Sequence, residues 1–477
     1  MNVPIRPDLR LAAALGAAKL AAVASRRLGR GGGTAAPGLV ADRIDPALLA
    51  KLAARLPRGA VVVAGTNGKT TVSRMLADIL EADGGRVVHN RSGSNLVRGV
   101  AAAFAERASI GGDPRADVAV IETDEAAFPE IVRRVGPRLV LLNNLFRDQL
   151  DRYGELNTIA AKWRPALAAL PAAATVVVNA DDPALAEITE GIAARRLAFG
   201  LAEPDPRFHL AALPHAADAA TCRRCGHDLV YAALYVSHLG DWRCPHCGAT
   251  RPPLAASGTD VQLDGVDALR VTVTTGDDAG TPPLALAVGV PGLYNVYNVV
   301  AATAAARALG VPHATIARAL GGFRAAFGRI ERVAFRGRTL VLALVKNPVG
   351  FNETLRMLTM GSGGLGVPTL IAINDRAADG RDVSWLWDVD FELLASGTAP
   401  LAAAGVRGAD MANRLKYAGV SSERLRSLGP DLGAALDAFV ATVPEGATAY
   451  VLPTYTAMLD LRATLAKAGA VETFWTQ

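Results

Sequence analysis

An α/β protein built on a doubly wound parallel sheet with a phosphate loop, a four-cysteine zinc-ribbon insertion and a second α/β unit towards the C-terminus is what this sequence predicts. Three observations predict it. Short β-branched runs alternate with helix-length segments along most of the 477 residues, the pattern of parallel strands joined by crossover helices. The first such run turns directly into Gly68-Lys69-Thr70-Thr71. All four cysteines fall between Cys222 and Cys247, where the alternation stops.

At the N-terminus, Arg6 and Arg10 precede an apolar, Ala-rich stretch from Leu11 to Ala24. A secretory signal is one reading; against it, Lys19 interrupts the run, and the phosphate loop that follows suits a cytoplasmic protein. The stretch is too short and too Ala-rich to span a bilayer. The expectation is an amphipathic helix, docked on the protein or resting as a peripheral contact on a membrane surface, where Arg26, Arg27 and Arg30 would meet anionic head groups. Three arginines on a solvated helix end explain the same pattern. Residues 31–38 (GGGTAAPG) read as a flexible connector, so 1–40 is an N-terminal helix and linker.

Residues 60–64 (AVVVA) read as a buried parallel strand, Gly65-Thr66-Asn67-Gly68 as a tight loop, and a helix begins near Lys69. Gly65 and Gly68 let the backbone approach a phosphate, loop amides from Thr66 to Thr71 converge on the anion, and the helix dipole points at it. Lys69 would reach the β and γ phosphates of ATP, and the Thr70 hydroxyl would hold Mg2+. The full Walker pattern wants a glycine where Val63 stands, so the match is to a shortened form. An ordinary Gly-rich strand-to-helix turn is the alternative.

Further strands are expected at 117–122, 138–143 and 175–179. They end in Glu122, in Asn143 and Asn144, and in Asn179 followed by Asp181 and Asp182. Ligands of open α/β sheets bind at the carboxyl ends of the strands, so these side chains should ring the loop. Glu122 is the best second ligand for Mg2+; capping the next helix is its other reading.

In 206–255 the pairs Cys222-Arg-Arg-Cys225 and Cys244-Pro-His-Cys247 are each followed by glycine. Two such knuckles supply four thiolates to a structural Zn2+ and close its coordination sphere; a redox dithiol is the alternative. Five histidines between His209 and His246 offer substitute ligands. With every cysteine so committed, none remains as a thiol nucleophile. Residues 258–290 read as β and 291–298 lead into an Ala-rich helix. The domain expectation is 41–333 as the ATP-binding unit, interrupted by the ribbon, and 334–477 as a second α/β unit. In that second unit strands at 340–345 and 369–374, a helix from Val349, an acidic loop, and a strand and helix from Ala449 are expected. Lys plus Arg is 50 against 45 acids, spread without a basic block, which argues against nucleic acid as partner.

The motifs resemble those of the Mur ligases: GTNGKTT, Glu122, Asn144-Leu-Phe-Arg-Asp148-Gln-Leu-Asp151-Arg-Tyr, Ala161-Lys162-Trp163, GLYNVYN from Gly292 and Gly328-Arg329-Ile-Glu-Arg332 occur in their order. The resemblance covers roughly 40–333 well, and the last unit is similar to their Rossmann-like C-terminal domain. It implies activation of a carboxylate by ATP as an acyl phosphate that an amine attacks. Lys162 would match a carbamylated lysine helping a second Mg2+, with a surface lysine as alternative, and Asn295, Asn298 and Arg329 would match nucleotide contacts. Gln149 stands where many relatives carry a metal-binding histidine, and Ala343-Leu-Val-Lys346-Asn347-Pro348 replaces their acidic stretch.

With the ribbon, the segment 374–385 and Leu452-Pro-Thr-Tyr-Thr456, these departures resemble the MurT branch of the family. That branch implies amidation of the D-glutamate α-carboxylate of the lipid II stem peptide, with ammonia from a GatD-type glutamine amidotransferase subunit in a heterodimer. Asp375 would complete that partner's Cys-His pair, with Asp379 and Asp382 as alternatives and a merely solubilising loop acid as another. Asn95 and Arg98 are plausible substrate contacts. Two rival functions stay open: a ligase that adds an amino acid, and an ATPase whose ribbon binds nucleic acid through Arg223, Arg224, Arg243, Arg251, Tyr235 and Trp242.

Overall fold

The computed structural model describes residues 8–27, 36–90, 95–148, 156–214, 217–276, 282–324, 330–360 and 366–471. The first sheet uses β1 (Ala60–Ala64), β2 (Val87–His89), β3 (Val118–Glu122), β4 (Leu139–Leu142), β5 (Thr175–Asn179) and β6 (Arg195–Leu201). After the ribbon hairpin of β7 (Val230–Val236) and β8 (Leu239–Arg243), the chain returns to it with β9 (Ala256–Asp264), β10 (Ala268–Thr275) and β11 (Leu284–Val288). Its nine strands lie in the order β11-β10-β9-β6-β5-β4-β1-β3-β2. Pairings from β2 across to β9 are parallel, and β10 and β11 extend the edge antiparallel.

β1 lies near the middle and every residue in it is buried. Ala60, Val62 and Ala64 feed the core on one face, and Val61 and Val63 the core on the other. Full burial of each valine side chain stabilises by about 1.5–3 kcal/mol, which is why this stretch contains no polar residue. The register sets Val63 opposite Glu122 and Ala64 opposite Leu142, so the polar strand ends align at one rim.

The N-terminal helix Leu9–Arg27 docks on the protein: Leu11, Ala14, Leu15 and Ala18 enter the first core, while Leu9 and Leu20 stay exposed. Lys19 Nζ donates to the Glu106 carbonyl at 3.0 Å. Arg30 lies outside the described residues. The connector expected at 31–38 ends early, because Ala36–Gly38 already form the first turn of the helix Ala36–Ile44. Gly38 serves close packing there, not flexibility: a Cβ on it would lie 1.7 Å from the Arg98 carbonyl oxygen of the helix Val97–Arg107.

The second sheet has the order β12-β13-β17-β14-β15-β16, with β12 (Glu331–Phe335), β13 (Arg338–Leu342), β14 (Thr369–Ala372), β15 (Leu401–Ala404), β16 (Leu425–Ser427) and β17 (Thr448–Pro453). β12 is antiparallel to β13 and the other pairs are parallel. The unit therefore begins inside the segment assigned to the ATP-binding part, at Glu331 instead of 334, because Glu331–Phe335 pairs with Arg338–Leu342 as a hairpin. Among the described residues no helix is long and apolar enough to cross a membrane.

Candidate active site

Gly65-Thr66-Asn67-Gly68 leaves β1 and enters the helix Lys69–Ala82. Gly68 is the N-cap at φ 81°, and no side chain among the described residues caps the helix. Its first amides remain aimed at the loop's concave side, the arrangement that binds phosphate. A Cβ on Gly68 would lie 2.2 Å from Asn298 Oδ1 and 2.6 Å from Asn143 Nδ2. Asn144 braces the loop from the neighbouring strand end: its Oδ1 accepts from the Asn67 amide at 2.8 Å, and its Nδ2 donates to the Asn67 carbonyl at 3.0 Å. The Thr66 hydroxyl bridges the Phe146 backbone in both directions at 3.0–3.1 Å.

The Thr70 hydroxyl donates to Glu122 Oε1 at 3.2 Å. Adjacent oxygens around an octahedral Mg2+ at about 2.1 Å are about 3 Å apart, so this hydroxyl and carboxylate fit neighbouring coordination positions. Asn90 holds Glu122 by its backbone, donating to its carbonyl at 2.8 Å and accepting from its amide at 2.9 Å. Lys69 is buried and pairs with Glu125 at 2.9 Å. The Glu125 carbonyl in turn accepts from the indole of Trp163 at 2.8 Å. Lys162, next to Trp163, is exposed on the helix Leu156–Ala168, and no described residue of the phosphate site is bonded to it. Thr71 is buried in the first turn of the Lys69 helix.

A file of amides runs from the loop to the helix Leu293–Ala308. Asn143 Nδ2 donates to the Asn67 carbonyl and to Asn298 Oδ1, both at 2.9 Å; Asn298 Nδ2 donates to Asn295 Oδ1 at 2.8 Å; Asn295 Nδ2 donates to the Pro291 carbonyl at 2.7 Å. Asn298 and Gly68 face a cleft whose apolar lining includes Phe146, Tyr294, Leu344 and Val349. Asn295 stands behind, holding Asn298. Arg329 and Gln149 lie outside the described residues.

The C-terminal unit closes this cleft. Asn347 caps the helix Pro348–Thr359 by accepting from the Gly350 amide at 2.9 Å, and its Nδ2 donates to Asn67 Oδ1 at 3.0 Å. Lys346 pairs with Asp148 at 2.5 Å. The stretch replacing the acidic motif is thus the bridge between the two sheets at the phosphate loop.

The cysteine sulfurs gather as one group, Cys222 to Cys247 at 3.6 Å and Cys225 to Cys244 at 3.5 Å. Thiolates at about 2.3 Å from a tetrahedral Zn2+ stand about 3.8 Å apart, so the set fits zinc with little movement. The amide of Cys247 pulls the Cys244 thiol down to about 6. His227 and His246 stack at 3.6 Å beside Cys225 and are exposed. Of the arginines offered as a nucleic-acid face, Arg251 is turned inward to Asp181 at 3.0 Å, and Arg224 pairs with Glu190.

The three candidate acids of the C-terminal loop separate. Asp379 is buried, accepting from the Thr456 amide at 2.8 Å and bonding its hydroxyl. Asp382 accepts from the Ser384 amide at 2.8 Å, which lowers its pKa. Asp375 stays half-exposed beside Arg407 at 3.4 Å, directly after Asn374, which is pinned to Thr454, Thr456 and Val406. Asn95 uses its carbonyl to hold the Asp124 amide at 3.0 Å, and Arg98 is exposed.

Sequence reasoning missed Glu125, Asn90 and Phe146. Glu125 had a signal, as the last of three acids in Glu122-Thr-Asp124-Glu125, and Phe146 lies inside the Asn144–Asp148 segment of the resemblance; Asn90 had none, since it arrives from another strand.

Residues 63–223 match the Mur ligase middle domain and residues 344–458 the MurT ligase C-terminal domain. Over 92% of this chain and 93% of the relative, the sequence is 34% identical to the lipid II isoglutaminyl synthase (glutamine-hydrolyzing) subunit MurT of Streptococcus pneumoniae. Identity to the subunit of the same name from Staphylococcus aureus is 30% over 84% of this chain and 87% of that one. The fold superimposes on a pseudomurein peptide ligase type C from Methanothermus fervidus with a TM-score of 0.65 at 18% identity, over 86% of this chain and 78% of that one.

Proposed function

Because this chain belongs to the MurT family of Mur ligases, we propose that it is the ATP-dependent ligase subunit that amidates the D-glutamate α-carboxylate of lipid II, using ammonia from a GatD-type glutaminase subunit. The observation that carries the reading is the pairing of a complete phosphate and metal cradle with four cysteines drawn into one group. The chain can activate a carboxylate, but it keeps no thiol free to hydrolyse glutamine.

In the reaction a carboxylate oxygen of the peptide attacks the γ phosphorus of ATP and ADP leaves. Ammonia then attacks the acyl carbon, phosphate departs, and the nitrogen loses one proton to give the amide. The amides at the start of the Lys69 helix hold the phosphates, while those of Thr66 and Asn67 are spent on Asn144 in shaping the loop, and Lys69 leaves Glu125 to neutralise the charge that develops on the phosphates. Thr70 and Glu122 would hold Mg2+, which neutralises and aligns the phosphates when bound. Asn298, set by Asn295, borders the nucleotide, and Arg329 would be a further contact by its place in the Gly328–Arg332 motif. Lys162, as a carbamate, would serve a second Mg2+. The four cysteines would hold Zn2+ as a structural ion, with no open position for chemistry.

Asp375 is the acid proposed for the partner's Cys-His pair, since Asp379 is held by Thr456 and Asp382 by Ser384. Exposed Trp387 and Tyr417, ring to ring at 5.7 Å, lie on the same unit and suit a protein contact. Amidation of a lipid II-type substrate is the test. Ammonium chloride should support it with this chain alone, and glutamine only after the glutaminase subunit is added. Incorporation of an amino acid, or glutamine use by this chain alone, would refute the reading.

A further inference from the structure

The ribbon is joined to the nucleotide cleft at the end away from its cysteines. The knuckles sit at the base of the β7–β8 hairpin, and strands of this length carry its tip roughly 15–20 Å from them. At that tip Val236 faces Leu239 across the turn, and both line the cleft with Asn67, Gly68, Tyr294 and Asn298. Between them His238 is fully buried, packed on Phe146 at 4.9 Å between ring centres and 3.7 Å from Asp182. Phe146 is the residue whose backbone grips Thr66 of the phosphate loop.

The hairpin is also tied along its length. Gly240 donates to the Asp181 carbonyl at 3.0 Å, and the Trp242 indole donates to the Ala180 carbonyl at 3.0 Å. From the other unit, Arg356 donates to the Tyr235 carbonyl at 2.6 Å and pairs with Glu353, itself a cleft residue. The buried cluster at the base of the ribbon is small, formed by Ala186, Cys222, Leu229, Trp242, Cys244 and Ala249. A cluster of that size with two cysteines in it depends on the ion for its fold.

We propose that the hairpin is a wall of the nucleotide site, with Val236 and Leu239 packing on the base of bound ATP, and that metal at the knuckles keeps this wall in place. Val236 and Leu239 belong to the apolar lining of the cleft, and an aromatic base wants such a slot. The inference rests on the ATP-dependent reading above and adds a role for the ribbon within it.

The experiment measures binding of AMPPNP and of inorganic tripolyphosphate to the full chain, with metal content determined on the same samples. Leu239→Ala is expected to keep its metal and its tripolyphosphate affinity while losing AMPPNP affinity about tenfold, the loss of part of one apolar side chain's contact. Cys247→Ser, or chelation of the wild type should that variant not fold, is expected to lose the metal and at least as much AMPPNP affinity. Unchanged AMPPNP binding by Leu239→Ala overturns the proposal. So does an equal loss of tripolyphosphate binding, which would place the effect at Phe146 and Thr66. Failure of the wild type to bind AMPPNP would instead overturn the ligase reading itself.

Discussion

Gly68→Ala is the most direct test of the phosphate loop as drawn. The residue sits at φ 81°, where an alanine costs about 1–2 kcal/mol. Its Cβ would also stand 2.2 Å from Asn298 Oδ1, about 1 Å inside ordinary contact, so Asn298 must move and release its bond from Asn143. That bond contributes about 0.5–1.5 kcal/mol. The sum is a destabilisation of about 1.5–3.5 kcal/mol, centred on the loop. Urea unfolding should read this loss, and ATP affinity should fall by at least tenfold because the amides no longer converge. Removing the nearer obstacle should restore part of the stability: Gly68→Ala with Asn298→Ala should be more stable than the two single changes predict, by at least about 0.5 kcal/mol. Additive losses, or a Gly68→Ala variant with wild-type stability and ATP affinity, would refute the steric account.

Other expectations follow from the same site. Glu122→Gln should weaken ATP binding in the presence of Mg2+ by about 10–100-fold and leave binding in EDTA unchanged; equal losses in both would remove Glu122 from the metal. Asp375→Asn should spare ammonium-driven amidation and abolish glutamine-driven amidation with the partner, whereas loss of both would make it a residue of the ligase site. Burial raises Asp181 to about 6 despite Arg251 and the Tyr297 hydroxyl. A carboxyl raised on folding binds more protons in the folded state, so stability declines as pH rises from about 4 to about 6, by at most about 3 kcal/mol for this group. Asp181→Asn should flatten the unfolding free energy across that window; an unchanged slope would assign it to other groups.

The legible parts of this protein were the local ones. Ala60–Ala64, the turn through Gly68, the helix from Lys69 and the two cysteine knuckles could be placed because each is dictated by neighbours in sequence: burial on both faces of a central strand, backbone freedom at two glycines, four thiols at fixed spacing. Glu122 was identifiable as well, since parallel register carries the strand end to the loop. Errors arose where a residue type has two uses. Gly38 read as slack in a linker, and it is the close contact between two helices. Glu331–Phe335 read as the end of one unit, and its pairing with Arg338–Leu342 makes it the start of the next.

The sequence by itself determined the Gly-rich loop, the grouping of the four cysteines and the α/β class, because short-range geometry and hydrophobic period suffice for them. Only the tertiary structure decided that Lys69 rests on Glu125, that Asn347 reaches Asn67, and that the ribbon's far end lines the nucleotide cleft. Those contacts join residues from separate strands, and in two cases from separate sheets or the inserted hairpin. What brings them together is packing of whole elements over long loops, and no local pattern of residues encodes that.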